Sequence, residues 1–444
     1  MPASDIRPGA VHAPLGLQAH IPPILTSRPA VASRTQDLVV FSHLRWGFMY
    51  QRPQHLMARM ARRGWRVFFV EEPRPTAGAA RLECHSPEPG VTVVVPHSPV
   101  APGGFHDKQV AVLAPLLSRY LDERQALGGV AWLDTPMALH IMKTAQPRAV
   151  VYDCMDDLST FLDASRELLL REAALMKQAD LVFTSGPSLY EAKRHLHPQL
   201  LCLPSAVDGE HFSPSRLRPG SPHAQRARAL QGRLPHPRLG FCGVIDERLD
   251  LDLLAHLARA RPQWQIVMVG PVLRIDPGTL PKAPNLHWLG LQAYSTLPYL
   301  MAGWHVCLMP FVINASTRFI NPTKTLEYLA SETPVVSTPV HDVVQLYGDV
   351  VSVASTPQAF VEACQALMDE APAGHLRRAH AALQTVRTRS WEIAVNVVHR
   401  WLLRVSAPRQ TDRDGALRAA VPPELLAAPQ PEGPGWANTS RPMS

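Results

Sequence analysis

The 444-residue chain contains no uninterrupted run of about 18 apolar residues, the length a membrane-spanning helix needs. Its six cysteines, Cys84, Cys154, Cys202, Cys242, Cys307 and Cys364, include no CxxC pair. Four of them lie in or beside apolar runs, where a free cysteine behaves as a small buried hydrophobe. That usage points to a reducing compartment and no disulfide framework. Zinc-finger spacing, an RNP-like strand and a basic zipper are all missing, which leaves nucleic acid as the weakest partner class. The first residues, MPASDIRPGAVHAPLGLQAH, lack a charged region followed by a solid apolar one. They make a poor signal peptide, so the expectation is a cytoplasmic protein that meets a membrane, if at all, from its inner surface.

Charged residues make up only 18% of the chain against 46% hydrophobic, a globular balance with a formal charge of +7. A mild basic excess suits anionic ligands or an anionic membrane surface. The 44 prolines crowd the first 35 residues, the stretches 73–102 and 214–237, and the last 40. Residues 1–36 and 407–444 therefore read as mobile tails. Between them, short apolar strands alternate with amphipathic helices: DLVVFS, RPQHLMARMARRG, WRVFFVEEP, VTVVVP, KQVAVLAPLLSRYLDERQAL, VAWLD, MALHIMKTA, AVVYDCM, RELLLREAALMKQA, LVFTS, SLYEAKRHL and LCLPSAV. This rhythm predicts a parallel sheet covered on both faces over 37–212.

A Pro/Arg-rich linker is expected over about 213–237, after which the rhythm restarts with RLGFCGVI and runs through LDLLAHLARARP, WQIVMVGP, NLHWLG, YSTLPYLMAG, HVCLMPF, KTLEYLAS, PVVSTP, VVSVAS and PQAFVEACQALMDEA. The fold class is thus α/β, with two tandem doubly wound, Rossmann-like domains (37–212 and 213–389). Two such sheets can face a cleft at the carboxyl ends of their strands. The amphipathic segment SWEIAVNVVHRWLL opens a last unit, 390–406.

Chemistry concentrates at Asn321-Pro-Thr-Lys-Thr-Leu-Glu327. Asn321 is a good N-cap and Pro322 suits a first helical turn, so a helix is expected to begin here after a polar loop. Its free N–H groups would favour an anion, with Thr323 at the helix start and Lys324 adding a full charge. Glu327, three residues on, shares the face of Lys324 and can accept ribose hydroxyls. The same residues also make an ordinary capped surface helix with an exposed Lys–Glu pair.

In the first half, His43 and Trp46 follow the first strand, with Tyr50, Gln51 and Arg52 beyond. An aromatic beside polar groups can form a sugar platform or simply pack the loop. Asp153, Asp156 and Asp157 end a buried strand in YDCMDDLSTF; they can orient an acceptor hydroxyl, and as a metal set they are outweighed by helix capping. His97, His106 and His140 show no telling partner spacing.

The run NPTKTLEYLASETPVVSTP resembles the donor-site signature of GT-B glycosyltransferases of the family 4-like branch. LGFCGVIDERLDLDLL, WQIVMVGP, NLHWLG and LPYLMAGWHVCLMPF match that branch's C-terminal domain in order and spacing. SHLRWGFMYQRPQHLMARMARRGWRVFFVEEP and YDCMDDLSTF…REAALMKQADLVFTSGPSLYEAK are similar to members linked to bacterial cell-surface polysaccharides, teichuronic-acid-type enzymes among them. The resemblance spans about 38–404.

It implies that Gly243 opens the donor loop, that Arg248 and Lys324 neutralise phosphate, and that Glu327 holds ribose. Asn321 and Thr323 would line the donor site, while His43, Trp46, Asp153 and Asp156 would face the acceptor. It further implies that the last helix crosses back onto the first domain. Two departures stand out: Phe319 occupies the position eight before Glu327 where many members carry a first Glu, and Arg248 is the lone basic residue of its loop.

The implied activity is transfer of a hexose, with retention, from a UDP- or GDP-sugar to a glycan or lipid-linked acceptor in cell-surface polysaccharide synthesis. No metal or other cofactor is required. The rival readings are a nucleotide-sugar epimerase of the same fold and a catalytically silent scaffold that partners a true transferase.

Overall fold

The computed structural model describes residues 36–160 and 165–407. Both expected tails fall almost wholly outside the described residues, although Gln36 already belongs to the first strand.

The first half contains β1 (Gln36–Ser42), α1 (Arg52–Arg62), β2 (Trp65–Glu71), β3 (Arg74–Pro75), β4 (Arg81–Glu88), β5 (Val91–Ser98), α2 (Asp107–Asp122), β6 (Val130–Leu133), β7 (Ala149–Cys154), α3 (Arg166–Gln178), β8 (Leu181–Thr184), α4 (Pro187–Lys193) and β9 (Leu200–Cys202). These strands form one sheet in the order β3-β5-β2-β1-β6-β7-β8-β9, parallel throughout except for β4, which runs antiparallel on β5. After β1 the chain builds outward through β2 and β5, then returns to the other side of β1 with β6. That reversal opens a crevice at the carboxyl ends of β1 and β6.

The second half contains α5 (Gly209–Phe212), α6 (Pro222–Gln231), β10 (Arg238–Cys242), α7 (Leu251–Ala260), β11 (Gln265–Val269), β12 (Leu286–Trp288), α8 (Leu297–Met301), β13 (Val306–Met309), α9 (Lys324–Ala330), β14 (Val335–Ser337), α10 (His341–Tyr347), β15 (Ser352–Val353), α11 (Pro357–Met368), α12 (Pro372–Arg387) and α13 (Trp391–Ser406). Its sheet is parallel, ordered β12-β11-β10-β13-β14-β15, and reverses at β10.

The central strands of both sheets are buried on both faces, which is why they read as unbroken apolar runs. One apolar layer of the first sheet joins α1 to α13 through Leu56, Met57, Trp391, Val395, Val398 and Leu402. The last helix therefore packs on the first half. Ser390 caps it by accepting from the Ile393 N–H, and its buried residues recur at helical spacing.

Three expectations need correction. MALHIMKTA is not an α-helix but two 3-10 turns, Pro136–Leu139 and Ile141–Ala145. The Pro/Arg-rich stretch 213–237 is not a plain linker: Ser221 caps α6, Pro222 fits its first turn, and the buried Gln231 accepts from Trp304 Nε1 at 2.9 Å. Gln231 also donates to Leu300 O at 2.8 Å, which fastens α6 to α8. Finally, β4, α5, α10 and α12 are additions to the expected elements. Most of β4 is exposed, with Leu82 partly buried against the core, so its apolar alternation is too short to announce it.

Candidate active site

The two reversal points face one another, and a cavity of about 350 Å³ lies between the halves. Its floor comes from the carboxyl ends of β10 and β11 and from the segment after β12: Gly243, Gly270, Leu291 and Tyr294. Lys324 stands at one wall, and Trp46–Tyr50 from the first half form the opposite side. Gly270 is a position where only glycine fits. Its φ is +149°, and a Cβ there would run into the backbone carbonyl of Gly243. The two loops therefore approach backbone to backbone, with Gly243 N–H donating to Val269 O at 2.9 Å.

Lys324 and Glu327 form an ion pair at 2.5 Å, with side chains 18% and 4% exposed. Burial alone would depress the Lys324 ammonium, but the Glu327 carboxylate outweighs it and holds the amine above its ordinary value. The cation is thus kept charged at the cavity wall, with a carboxylate one turn along the same face. Such a pair can neutralise phosphate and accept from vicinal hydroxyls.

Asn321 is not the N-cap. Thr323 takes that place without a side-chain capping bond, in helical backbone geometry. Asn321 is instead buried between the halves: its Nδ2 donates to Ser185 O at 3.1 Å, and its carbonyl accepts from Ser205 Oγ at 2.8 Å. The Thr323 hydroxyl is likewise engaged with Ser205 Oγ at 3.2 Å. With α9 only seven residues long, the helix start is a minor electrostatic contributor beside Lys324.

Arg248 does not line the cavity. Its guanidinium is paired with the buried Asp246, Nε to Oδ1 at 3.0 Å and Nη2 to Oδ2 at 2.5 Å. Burial works against its charge, but Asp246, with help from Asp156 and Glu247, raises it above its usual value. Asp156, on the first half, carries a charge that acts on both Arg248 and His43. Burial lowers the imidazole of His43, and the Asp156 charge partly opposes this.

Two acceptor-side candidates are engaged within the first half. Trp46 is 7% exposed, its ring packs edge-on against Phe69 at 5.1 Å, and its N–H donates to Glu71 Oε1. Asp153 is fully buried and accepts from Arg52 through both oxygens, at 2.8 and 2.9 Å. Arg52 also donates to Leu203 O, so Gln51-Arg52-Pro53 ties α1 to β7 and β9. Breaking such a buried pair costs on the order of 3–5 kcal/mol. Asp157 turns inward too, toward Lys193 at 3.6 Å, which is also held by Glu172 at 2.8 Å. Among the described residues no group of three His, Cys, Asp or Glu is arranged to hold a metal ion.

Sequence reasoning passed over Gly270, Gln54 and Tyr294. A glycine closing the apolar run WQIVMVG could have flagged Gly270 as a close-approach position. Gln54 stands three residues after Gln51, at capping-box spacing, so its bond to Gln51 N–H had a local signal. Tyr294 carries none, because its partners are distant in the chain. Tyr294 stacks on His211 at 4.2 Å and meets Tyr50 of the first half at 5.2 Å, and its buried hydroxyl has no hydrogen-bond partner.

Residues 236–370 match the family model described as "Glycosyl transferases group 1". A Bacillus subtilis (strain 168) protein named for teichuronic acid biosynthesis, the glycosyltransferase TuaH, is 27% identical over 205 residues. That match takes in 43% of this chain and 50% of the relative, so the chain spans half the length of the curated protein it resembles. Among solved structures, sucrose-phosphate synthase from Thermosynechococcus elongatus superposes with a TM-score of 0.63 at 16% identity, covering 83% of this chain and 99% of its own. The Anabaena protein HepE, solved in complex with UDP and glucose, gives 0.59 at 14% identity, covering 83% and 100%. At such identities the likeness is one of fold, and that fold is GT-B. The chain therefore carries, over residues 236–370, a domain of the glycosyl transferases group 1 family within a two-sheet GT-B framework.

Proposed function

We propose that the chain is a glycosyltransferase that takes a hexose from a UDP-sugar and passes it, with retention, to a glycan or lipid-linked acceptor of a cell-surface polysaccharide. In this reading residues 213–389 hold the donor and 37–212 present the acceptor. The observation that carries it is the interdomain cavity with Lys324 on its lining beside Gly243, held there by the buried Glu327. HepE, in complex with UDP and glucose, supports the choice of uracil over guanine, and TuaH supports the polysaccharide context. No described helix is long and apolar enough to cross a membrane, so we place any contact with a lipid-linked acceptor at a surface.

The reaction breaks the bond between the anomeric carbon and the diphosphate oxygen and forms one to an acceptor hydroxyl, whose proton is released. Charge gathers on the leaving diphosphate. Lys324 is poised to stabilise it, the largest single contribution when charge develops in a closed site. Arg248 is a second cation for this purpose once the diphosphate competes with Asp246 for its guanidinium. Glu327 would accept from the ribose hydroxyls. Closure of the cleft over the donor would exclude water and so favour transfer over hydrolysis.

A thermal-shift panel of nucleoside diphosphates and nucleotide-sugars tests this reading. UDP and UDP-sugars should raise the melting temperature of the wild type, and both Lys324→Ala and Glu327→Ala should lose the shift. Equal shifts in wild type and variants would remove the site from this surface. An epimerised donor formed without acceptor would favour the epimerase instead, and binding without turnover across many acceptors the silent scaffold.

A further inference from the structure

The loop before α1 is ordered at unusual expense. Gln54, fully buried on α1, donates through Nε2 to three loop carbonyls: Met49 O at 2.8 Å, Trp46 O at 3.2 Å and Arg45 O at 3.3 Å. Its Oε1 accepts from Gln51 N–H at 3.1 Å. At the other end, the buried Glu71 carboxylate accepts from Trp46 N–H and from Arg45 Nη1, both at 2.9 Å. The loop is thus pinned at Arg45 and Trp46 at its start and at Met49 and Gln51 at its end. Fixing a residue's backbone costs about 1–2 kcal/mol in entropy, so this loop is built for a fixed shape.

What that shape faces is the floor supplied by the other half. Trp46–Tyr50 line the cavity opposite Gly243, Gly270 and Leu291, while Phe48 remains 43% exposed. Among the described residues, Lys324 is the one charged side chain on the cavity lining. A cavity lined by one cation among apolar and aromatic side chains suits a ligand with an anionic group and a flat apolar face.

We propose that the first half supplies the roof of the nucleoside end of the donor cavity: Phe48 and Met49 cover the base, and Gln54 is the positioning residue that holds them over it. The inference rests on the nucleotide-sugar reading above and deepens it. It moves the loop after β1 from the acceptor, where the sequence placed it, to the donor. It also makes base recognition a property of the two halves together.

Calorimetric titration of the full-length chain tests it, using UDP, UMP and inorganic pyrophosphate as probes. Phe48→Ala, at an exposed position, should weaken UDP and UMP alike by about tenfold, the scale of one base–aromatic stack, and leave pyrophosphate unchanged. Phe48→Trp should restore both. Gln54→Met, which keeps the shape and removes the three donations, should move the same two ligands in the same direction. Lys324→Ala should weaken UDP and pyrophosphate more than UMP.

If Lys324→Ala behaves so while Phe48→Ala stays within about twofold of wild type for UMP, the roof is refuted and the donor site stands. If Phe48→Ala weakens pyrophosphate as much as UMP, the roof is refuted too. If the wild type binds neither UDP nor UMP, the nucleotide reading and the roof fall together.

Discussion

Gly186, opening α4 in the first half, lies directly against Asp342, opening α10 in the second. Asp342 is fully buried, and its Oδ1 accepts from Ser188 N–H at 3.1 Å. A Cβ on Gly186 would fall inside the contact shell of Asp342 Oδ2 and 2.8 Å from Asn321 Cβ. The halves are thus seated on a glycine, between one carboxylate that grips a helix start and one amide that grips Ser185 O.

Gly186→Ala should therefore push the halves apart with no change to either sheet. Overpacking of this kind costs roughly 1–3 kcal/mol. Chemical denaturation should show that loss, and affinity for UDP should fall with it, because the cavity is shared between the halves. Unchanged unfolding and unchanged UDP binding would mean that the junction gives way at no cost.

A pH effect is built in beneath the cleft. Asp134, at the carboxyl end of β6, is 5% exposed, and burial pushes its carboxyl up to about 7. The nearby Asp153 charge adds to this, Ser42 and Trp132 oppose it through hydrogen bonds, and Arg52 is already committed to Asp153. A carboxyl raised in the folded state favours folding while protonated. Its contribution is complete below the unfolded value near 4 and is lost as pH rises through about 7. Asp134→Asn, neutral throughout, should gain stability relative to wild type across that window and hold the gain above it. The size is on the order of a few kcal/mol at most, at about 1.4 kcal/mol for each unit. Urea unfolding of both proteins at pH 5 and pH 8 checks it; a difference that stays constant between the two pH values would show that Asp134 does not titrate there.

Where the sequence spoke clearly, it spoke through burial. DLVVFS, AVVYDC and HVCLM are apolar because both faces of their strands are covered, and no other element tolerates that pattern at that length. Lys324 and Glu327 were readable because their partnership is local, three residues apart on one face. Asn321 misled because its capping preference is a local rule, whereas its position is set by Ser185 and Ser205, more than 100 residues away. Arg52 was opaque for the same reason: its partners Asp153 and Leu203 lie more than 100 residues away. Trp46 looked like a ligand platform because a loop aromatic gives no sign of whether a Phe69 lies beneath it.

Phe319 explains its own departure from the Glu that many related donor sites carry. It is partly buried against the apolar cluster of the first half that contains Leu175 and Leu189, and the Arg318 guanidinium lies 5.1 Å from its ring. A carboxylate there would exchange an apolar contact between the halves for a charge to be desolvated. Phe319→Ala should therefore lower stability by about 1–2 kcal/mol, less than the 3–5 kcal/mol of a fully buried aromatic, since the site is partly open. Because no carboxylate at this position reaches for sugar hydroxyls, the ratio of UDP-glucose to UDP affinity should be the same in Phe319→Ala as in wild type. Phe319→Glu should lose at least as much stability as the alanine variant. Calorimetry with both ligands, alongside denaturant unfolding, separates the two roles: a variant that keeps its stability but loses its preference for the sugar-bearing ligand would make Phe319 a donor contact and end the interface account.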